Sequence, residues 1–248
     1  MSKLSKEYLK QVINLIEKIS VEEEDAINQA ANMMADAIQK GHKIFAFGCS
    51  HSSLPVQDIY YRAGGLMLIN PIFAPGIASL DIHPVTMTSG LERLEGLAKV
   101  LLDNYPTQKD DVLILVSVSG RNAVPIEMAK IAKERGTKVI GVTSRKYTEG
   151  VTSRHSSGRK MYEYADVVLD NKVDKGDAVI EVEGVAERFT PASGVTSTAL
   201  LHALITATIE ELLKRGITPP IYVAANVDGG EEHNAKLKQQ YKDQILNW

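Results

Sequence analysis

The run Asp111-Val112-Leu113-Ile114-Leu115-Val116-Ser117-Val118 constrains the fold more than any other part of the chain. It lacks the apolar–polar alternation of a strand with one wet face. A short, unbroken apolar run ending in small polar residues fits a parallel strand covered on both faces. It flows into Ser119-Gly120-Arg121-Asn122, then a helical pattern over 124–135, which Gly136 stops. A second apolar run follows at 138–142, and shorter ones lie at 43–47, 67–69 and 165–169. Strands spaced by helical patterns predict βαβ units, a parallel sheet and right-handed crossovers. The expected fold class is therefore α/β, with helices on both faces of the sheet.

Residues 4–40 carry apolar positions at helical spacing. Ser20 and Glu23 read as a capping box that starts a second helix there, which Gly41 ends. Helices are also expected over 91–104, 196–215 and 234–246. Residues 177–182 suggest an added edge strand. There is no linker-like composition shift and no internal repeat. We therefore expect one domain over 41–248, with helices of 1–40 packed on it.

A chain of 248 residues can bury a full core. Its net charge of −3 offers no field for nucleic acid. The densest basic stretch, 145–160, is interleaved with Ser, Thr and Gly and reads as a solvated loop. No apolar run approaches the roughly 20 residues that span a bilayer. The first residues lack the features of a secretory leader. Cys49 is the only cysteine, so no disulfide can form within the chain. The expected location is the cytoplasm.

The chemistry is concentrated in two turns that follow strands and open helices. The first is Gly48-Cys49-Ser50-His51-Ser52-Ser53 and the second is Ser117-Val118-Ser119-Gly120-Arg121-Asn122. Ligands of open parallel sheets sit beyond the strands' carboxyl ends. Helix openings there present unpaired N–H groups, and serine hydroxyls add donors of adjustable direction. Gly120 lets the backbone approach a ligand closely, and Arg121 could clamp a phosphate. Such serines also serve as plain helix caps. Two serine-dense turns on successive buried strands point instead to an anion site.

The run 116–122, then Pro125-Ile126-Glu127 and Ala132-Lys133-Glu134-Arg135-Gly136-Thr137-Lys138-Val139-Ile140-Gly141-Val142-Thr143, resembles the sugar isomerase (SIS) domain family. That family shows S-x-S-G-x-T, a helix, and A-K-x-x-G-A-x-V-I-A-I-T. Phe47-Gly48-Cys49-Ser50 is similar to its first loop. The likeness covers roughly residues 40–215, and Asn122 stands where the family usually has Thr or Ser. A second likeness, in Glu181-Val182-Glu183-Gly184, Glu187, Ser193-Gly194-Val195-Thr196-Ser197-Thr198-Ala199 and Asn234-Ala235-Lys236-Leu237, is to the N-acetylmuramic acid 6-phosphate etherases. Their first-loop T-S-G-R-L is absent. The chain looks most like a bacterial SIS group adjacent to the etherases.

The resemblance implies a flavodoxin-like five-stranded parallel sheet and a phosphorylated sugar or amino sugar as ligand. It implies isomerisation by proton transfer or etherase-style cleavage, with no cofactor. It also implies a homodimer or tetramer. A sugar-phosphate sensor is the alternative, although 1–40 shows no helix-turn-helix for a transcription regulator. The ligand-holding residues would be Gly48, Ser50, Ser52, Ser53, Ser117, Ser119, Gly120, Arg121 and Asn122.

Proton transfer needs a carboxylate or a histidine with a suitably placed pKa. Glu92 and Glu95 share a helix face by spacing, and either could point inward. His51 lies in the first turn. His202 lies in the long apolar helix, and His233 follows a glycine pair. Either could complete a neighbouring subunit's site, as the family often does. His83 sits in a loop that could cover the pocket, while His42 and His155 read as surface residues. Cys49 reads as buried filler. No G-x-G-x-x-G or P-loop is present, and the first turn lacks the last glycine of a nucleophile elbow. The histidines show no paired ligand spacing, so no metal is expected.

Overall fold

The computed structural model describes residues 1–78, 80 and 82–246. In chain order the elements are α1 (Lys3–Glu22), α2 (Glu24–Gln39), β1 (Ile44–Gly48), α3 (Ser53–Asp58), β2 (Ile69–Pro71), α4 (Thr86–Leu91), α5 (Leu97–Asp103), β3 (Val112–Val116), α6 (Ala123–Glu134), β4 (Lys138–Thr143), α7 (Arg145–Glu149), β5 (Val167–Asp170), β6 (Ala178–Ile180), β7 (Phe189–Pro191), α8 (Ser193–Lys214) and α9 (Gly230–Gln240). Single 3₁₀ turns lie at Ser50–Ser52 and Met161–Tyr164.

The main sheet has five parallel strands in the order β2-β1-β3-β4-β5. This is the flavodoxin-like α/β architecture expected from the sequence. Its apolar runs are explained by burial on both faces. Ile44, Ala46, Val112, Ile114 and Val116 face α2 and α8, through Met34, Ile38, Leu200, Leu201 and Leu204. Phe45, Phe47, Leu113 and Leu115 face α5 and α6, through Leu102, Ile126, Met128 and Ala129. Successive residues alternate between two covered faces, so no polar position interrupts the pattern. α2 is thus part of a core layer, packed against the sheet and beside α8.

Strand order reverses between β1 and β3: β2 lies on one side of β1, and β3 to β5 lie on the other. Gly48 pairs with Val116 across this switch point. The two serine turns therefore leave the sheet from adjacent strand ends, where open sheets of this order place a crevice.

Several expected boundaries are corrected. Ser20 is no helix cap: it lies inside α1, and its hydroxyl donates to the Glu17 carbonyl at 2.7 Å. Ser2 caps α1 by accepting from the Ser5 amide. The chain bends at Glu23, whose buried carboxylate accepts from the Asp170 amide at 2.9 Å and meets Lys172 Nζ at 2.5 Å. The Lys172 ammonium is costly to bury, yet Glu23, Glu22 and Asp170 together hold it firmly charged. Tertiary electrostatics, not local capping, sets this break. Glu23 is the buried carboxylate of this network and also holds the Asp170 amide, so Glu23→Ala, which removes both bonds, should cost about 3 kcal/mol in urea unfolding. An equal loss in Lys172→Met, with no further loss in the double variant, would identify the pair as the cause.

The helix expected over 91–104 is interrupted: α4 ends at Leu91, and Gly96, at φ +89°, precedes α5. The gap lets the Glu92 carbonyl accept from the Val124 amide at 3.0 Å. The stretch 177–182 adds no edge to the main sheet; β6 pairs antiparallel with β7 in a separate hairpin. Asp177, at φ +66°, turns the chain and ties it to the start of α8. The last helix ends at Gln240 rather than 246: a turn follows at 241–244, and Asn70 then ties the Gln244 carbonyl and the Leu246 amide to β2. No helix among the described residues is long and apolar enough to cross a membrane.

Candidate functional site

A cleft of about 530 Å³ opens beyond the carboxyl ends of β1 and β3. Both serine turns line it, through Ser50, His51 and Ser52 on one side and Ser117, Ser119 and Asn122 on the other.

The two turns contribute differently. The first is tightly wound: the Ser50 amide donates to the Ile77 carbonyl at 2.7 Å, and the Ser52 amide donates to the Cys49 carbonyl at 2.9 Å. Its anion-binding amides, expected to be free, are thus partly spent. Ser50 sits at φ +54°, a backbone conformation that L-residues seldom adopt. Gly48 makes the winding possible, since a Cβ there would lie 2.1 Å from the Ser52 carbonyl oxygen. What this turn offers is side chains. Among the described residues, the Ser50 and Ser52 hydroxyls have no protein partner.

The second turn offers its backbone. The Val118 carbonyl accepts from the Ser144 amide and the Thr143 hydroxyl, the Gly120 carbonyl from the Met161 amide, and the Arg121 carbonyl from the Arg154 amide. With these carbonyls fixed, the amides of Val118, Ser119, Arg121, Asn122 and Ala123 meet no protein acceptor among the described residues. The Ser117 and Ser119 hydroxyls are likewise unspent. Successive free amides at a helix start form an anion-binding concavity. Gly120, at φ +57°, faces Thr148 Oγ1, which a Cβ would approach to 2.8 Å. Its role is to seat the turn against α7.

Among the described residues, two acidic ones line the cleft, Glu92 and Asp177, and Glu92 is the one beside both serine turns. Its carboxylate accepts from Asn122 Nδ2, and Asn122 Oδ1 in turn accepts from Arg154 at 3.1 Å. Burial pushes the Glu92 carboxyl above its usual range, against the Asn122 hydrogen bond and the nearby Arg93, Arg154 and His51. A carboxyl held this way can take and return a proton nearer neutrality. Burial, with the Glu92 charge nearby, also keeps the Cys49 thiol protonated. Cys49 borders the cleft as inert filler.

Other sequence candidates lie elsewhere. Ser53 is buried and donates to the Ser50 carbonyl at 2.7 Å, bracing the first turn. Arg121 donates to Thr152 Oγ1 at 3.2 Å, outside the cleft lining. Glu95 points away from the cleft, to Ser156. His202 pairs with Asp58 at 2.7 Å, and His233 lies 3.2 Å from the Ile221 carbonyl. His83 is exposed and outside the lining. Neither His202 nor His233 reaches this chain's own cleft.

A model of the SIS domain matches residues 7–144, more than half of the chain. The chain belongs to the SIS domain family. This SIS protein is 45% identical over 245 residues to the UPF0309 protein of Streptomyces griseus, covering 99% of this chain and 98% of that one. It is 45% identical over 240 residues to the UPF0309 protein OB3413 of Oceanobacillus iheyensis, with 97% of each chain covered. Among solved structures it shares its fold with the phosphoheptose isomerase of Neisseria gonorrhoeae. That match has a TM-score of 0.57 at 19% identity, covering 84% of this chain and 98% of that one. The phosphoheptose isomerase of Francisella tularensis gives a TM-score of 0.53 at 17% identity, covering 85% and 100%.

The cleft of this SIS protein has a third wall that sequence reasoning left out of the site. Asp177, Ser193, Gly194 and Ser197 border it, with Tyr147 from α7. Asp177 accepts from the Ser193 amide at 2.7 Å and from the Ser193 hydroxyl, which fixes the start of α8 at the rim. The signal was present: Ser193-Gly194-Val195-Thr196-Ser197 is another small hydroxyl-rich run opening a helix. It follows no strand of the main sheet, so the strand–turn–helix outline missed it.

Proposed function

We propose that the cleft binds a phosphorylated sugar or amino sugar and interconverts its aldose and ketose forms by proton transfer. One observation carries this reading: unspent hydroxyls of Ser50, Ser52, Ser117 and Ser119 surround one cleft with the free amides of the second turn. A phosphate brings the acceptor oxygens that these donors lack. The solved neighbours named above support the reading, being phosphoheptose isomerases of the same fold.

In the proposed reaction the second turn holds the phosphate. Glu92, ionised, takes the proton from C2 of the open-chain aldose to give an enediol and returns it to C1, while the O2 hydroxyl proton passes to O1. His51, at the mouth of the cleft, serves the sugar oxygens during ring opening. The exchange is redox-neutral within the substrate and calls for no cofactor. The reading includes self-association, as homodimer or tetramer. His202 and His233 lie outside the chain's own cleft, so a neighbouring copy is the route by which either could serve one.

The test is a thermal-shift panel of sugar phosphates, followed by proton exchange in deuterated water. Ligands that raise the melting temperature and take up deuterium at C1 or C2 support isomerisation. Binding without exchange or turnover would turn the assignment toward a sensor. Binding by the unphosphorylated sugar alone would overturn the phosphate assignment. Ser117→Ala and Ser119→Ala should each weaken the best ligand by about 1.5 kcal/mol, roughly tenfold, in calorimetric titration.

A further inference from the structure

Outside the cleft, on the far side of the Glu92 loop, three metal-ligating side chains converge. His155 Nε2 lies 3.5 Å from Glu127 Oε1 and 3.9 Å from Glu95 Oε2. The three donor atoms all fall within 4.8 Å of one another. His155, expected at the surface, has a side chain only 7% exposed. Its Nε2 is aimed between the two carboxylates and has no hydrogen-bond partner among the described residues. No lysine or arginine pairs with either carboxylate among those residues.

Each donor is also held from behind. The Ser156 amide and hydroxyl donate to Glu95 at 2.6 and 2.8 Å, keeping that carboxyl below its usual pKa range. The Gly96 amide donates to both oxygens of Glu127, at 2.9 and 2.8 Å. His155 Nδ1 lies 2.7 Å from Ser157 Oγ and accepts from the Ser157 amide at 3.1 Å. The Ser156 and Gly96 bonds orient the two carboxylates as outer hydrogen bonds orient metal ligands, whereas the Ser157 amide holds the imidazole in the tautomer that a metal at Nε2 must reverse.

We propose that Glu95, Glu127 and His155 bind one divalent transition-metal ion of the zinc class. One imidazole and two carboxylates suit zinc, cobalt or manganese, and the imidazole disfavours calcium and magnesium. Three protein donors leave a fourth position for water beside the exposed Glu95. Binding moves the imidazole proton from Nε2 to Nδ1, where Ser157 Oγ accepts it and the exposed Ser157 amide turns to solvent. The ion would clasp three segments: the Glu92–Gly96 loop, α6 and the 151–160 strap. Arg154, next to His155, is the residue that holds Asn122 against Glu92. The site therefore acts as an ordering clamp beside the cleft, and it stands or falls separately from the sugar-phosphate reading.

The test uses full-length protein stripped with a chelator and titrated with cobalt(II), then zinc(II). Calorimetry should give one equivalent per chain, with cobalt ligand-field bands that zinc bleaches. His155→Asn and Glu127→Gln should abolish both, while His51→Ala and Glu92→Gln in the cleft should leave them unchanged. In the unmutated protein, zinc at about ten times its dissociation constant should slow tryptic cleavage after Arg154 and Arg159 about tenfold. Absence of stoichiometric binding, binding lost with the cleft variants, binding retained in both cluster variants, or cleavage indifferent to zinc would each overturn the proposal. In that case the cluster is an ion pair of His155 with two carboxylates and nothing more.

Discussion

Gly48→Ala protein is expected to melt about 6–12 °C below the unmutated chain and to bind no sugar phosphate. The cause is steric. A Cβ at residue 48 would stand 2.1 Å from the Ser52 carbonyl oxygen and 2.5 Å from its carbonyl carbon. Both are backbone atoms, which cannot rotate aside as a side-chain tip would. Relief requires unwinding the 3₁₀ turn at Ser50–Ser52 or bending β1, whose residues are all buried. Overpacking a site with no slack costs roughly 3 kcal/mol. For a chain of this size each kcal/mol shifts the melting temperature by about 2–4 °C. Ligand binding falls with it, because Ser50 and Ser52 ride on the displaced turn. Gly194→Ala is the matched control: residue 194 also borders the cleft, yet a Cβ there meets nothing within 4 Å. Equal melting temperatures for the two variants would show that the close approach at Gly48 is not what holds the turn.

The second large effect is on turnover. Glu92→Gln should lower kcat for the proposed isomerisation by about 10³-fold, within the range for removing a general base. Substrate binding should be little changed, because Gln can still accept the Asn122 hydrogen bond through its amide oxygen. The pH dependence follows from burial, which raises the Glu92 carboxyl against the opposing Asn122 bond and nearby positive charges. The base works ionised, so activity should fall as pH drops through a value above the usual carboxylate range. Stability runs the other way. Between the unfolded and the raised folded pKa, the folded chain binds more protons than the unfolded one. Stability therefore declines as pH rises through that window. Gln cannot ionise, so the melting temperature of Glu92→Gln relative to wild type should climb with pH across it. A variant that keeps full turnover, or one whose relative melting temperature is flat with pH, would remove Glu92 from the proposed role.

Much of this was legible along the chain. The unbroken apolar run at 112–116 required a strand covered on both faces, and its helical spacers required parallel crossovers. The two turns were visible as small hydroxyl residues at strand ends. Some features could not be read locally. Glu92 and Glu95 share a helical spacing, but both fall in the gap between α4 and α5, which sends one into the cleft and the other to Ser156. Ser20 had the chemistry of a cap, yet the bend falls where Glu23 finds Lys172, far along the chain. The cluster of Glu95, Glu127 and His155 has no sequence spacing at all, because three separate segments deliver it.

By itself the sequence determined the layers, the parallel sheet and the presence of two serine-bearing turns. Those depend on period, burial and turn chemistry, which act over a few residues. Only the tertiary structure decided which side chains meet, which amides stay free and which carboxylate loses its water. Those outcomes depend on distances between segments far apart in the chain, and a linear pattern does not encode them.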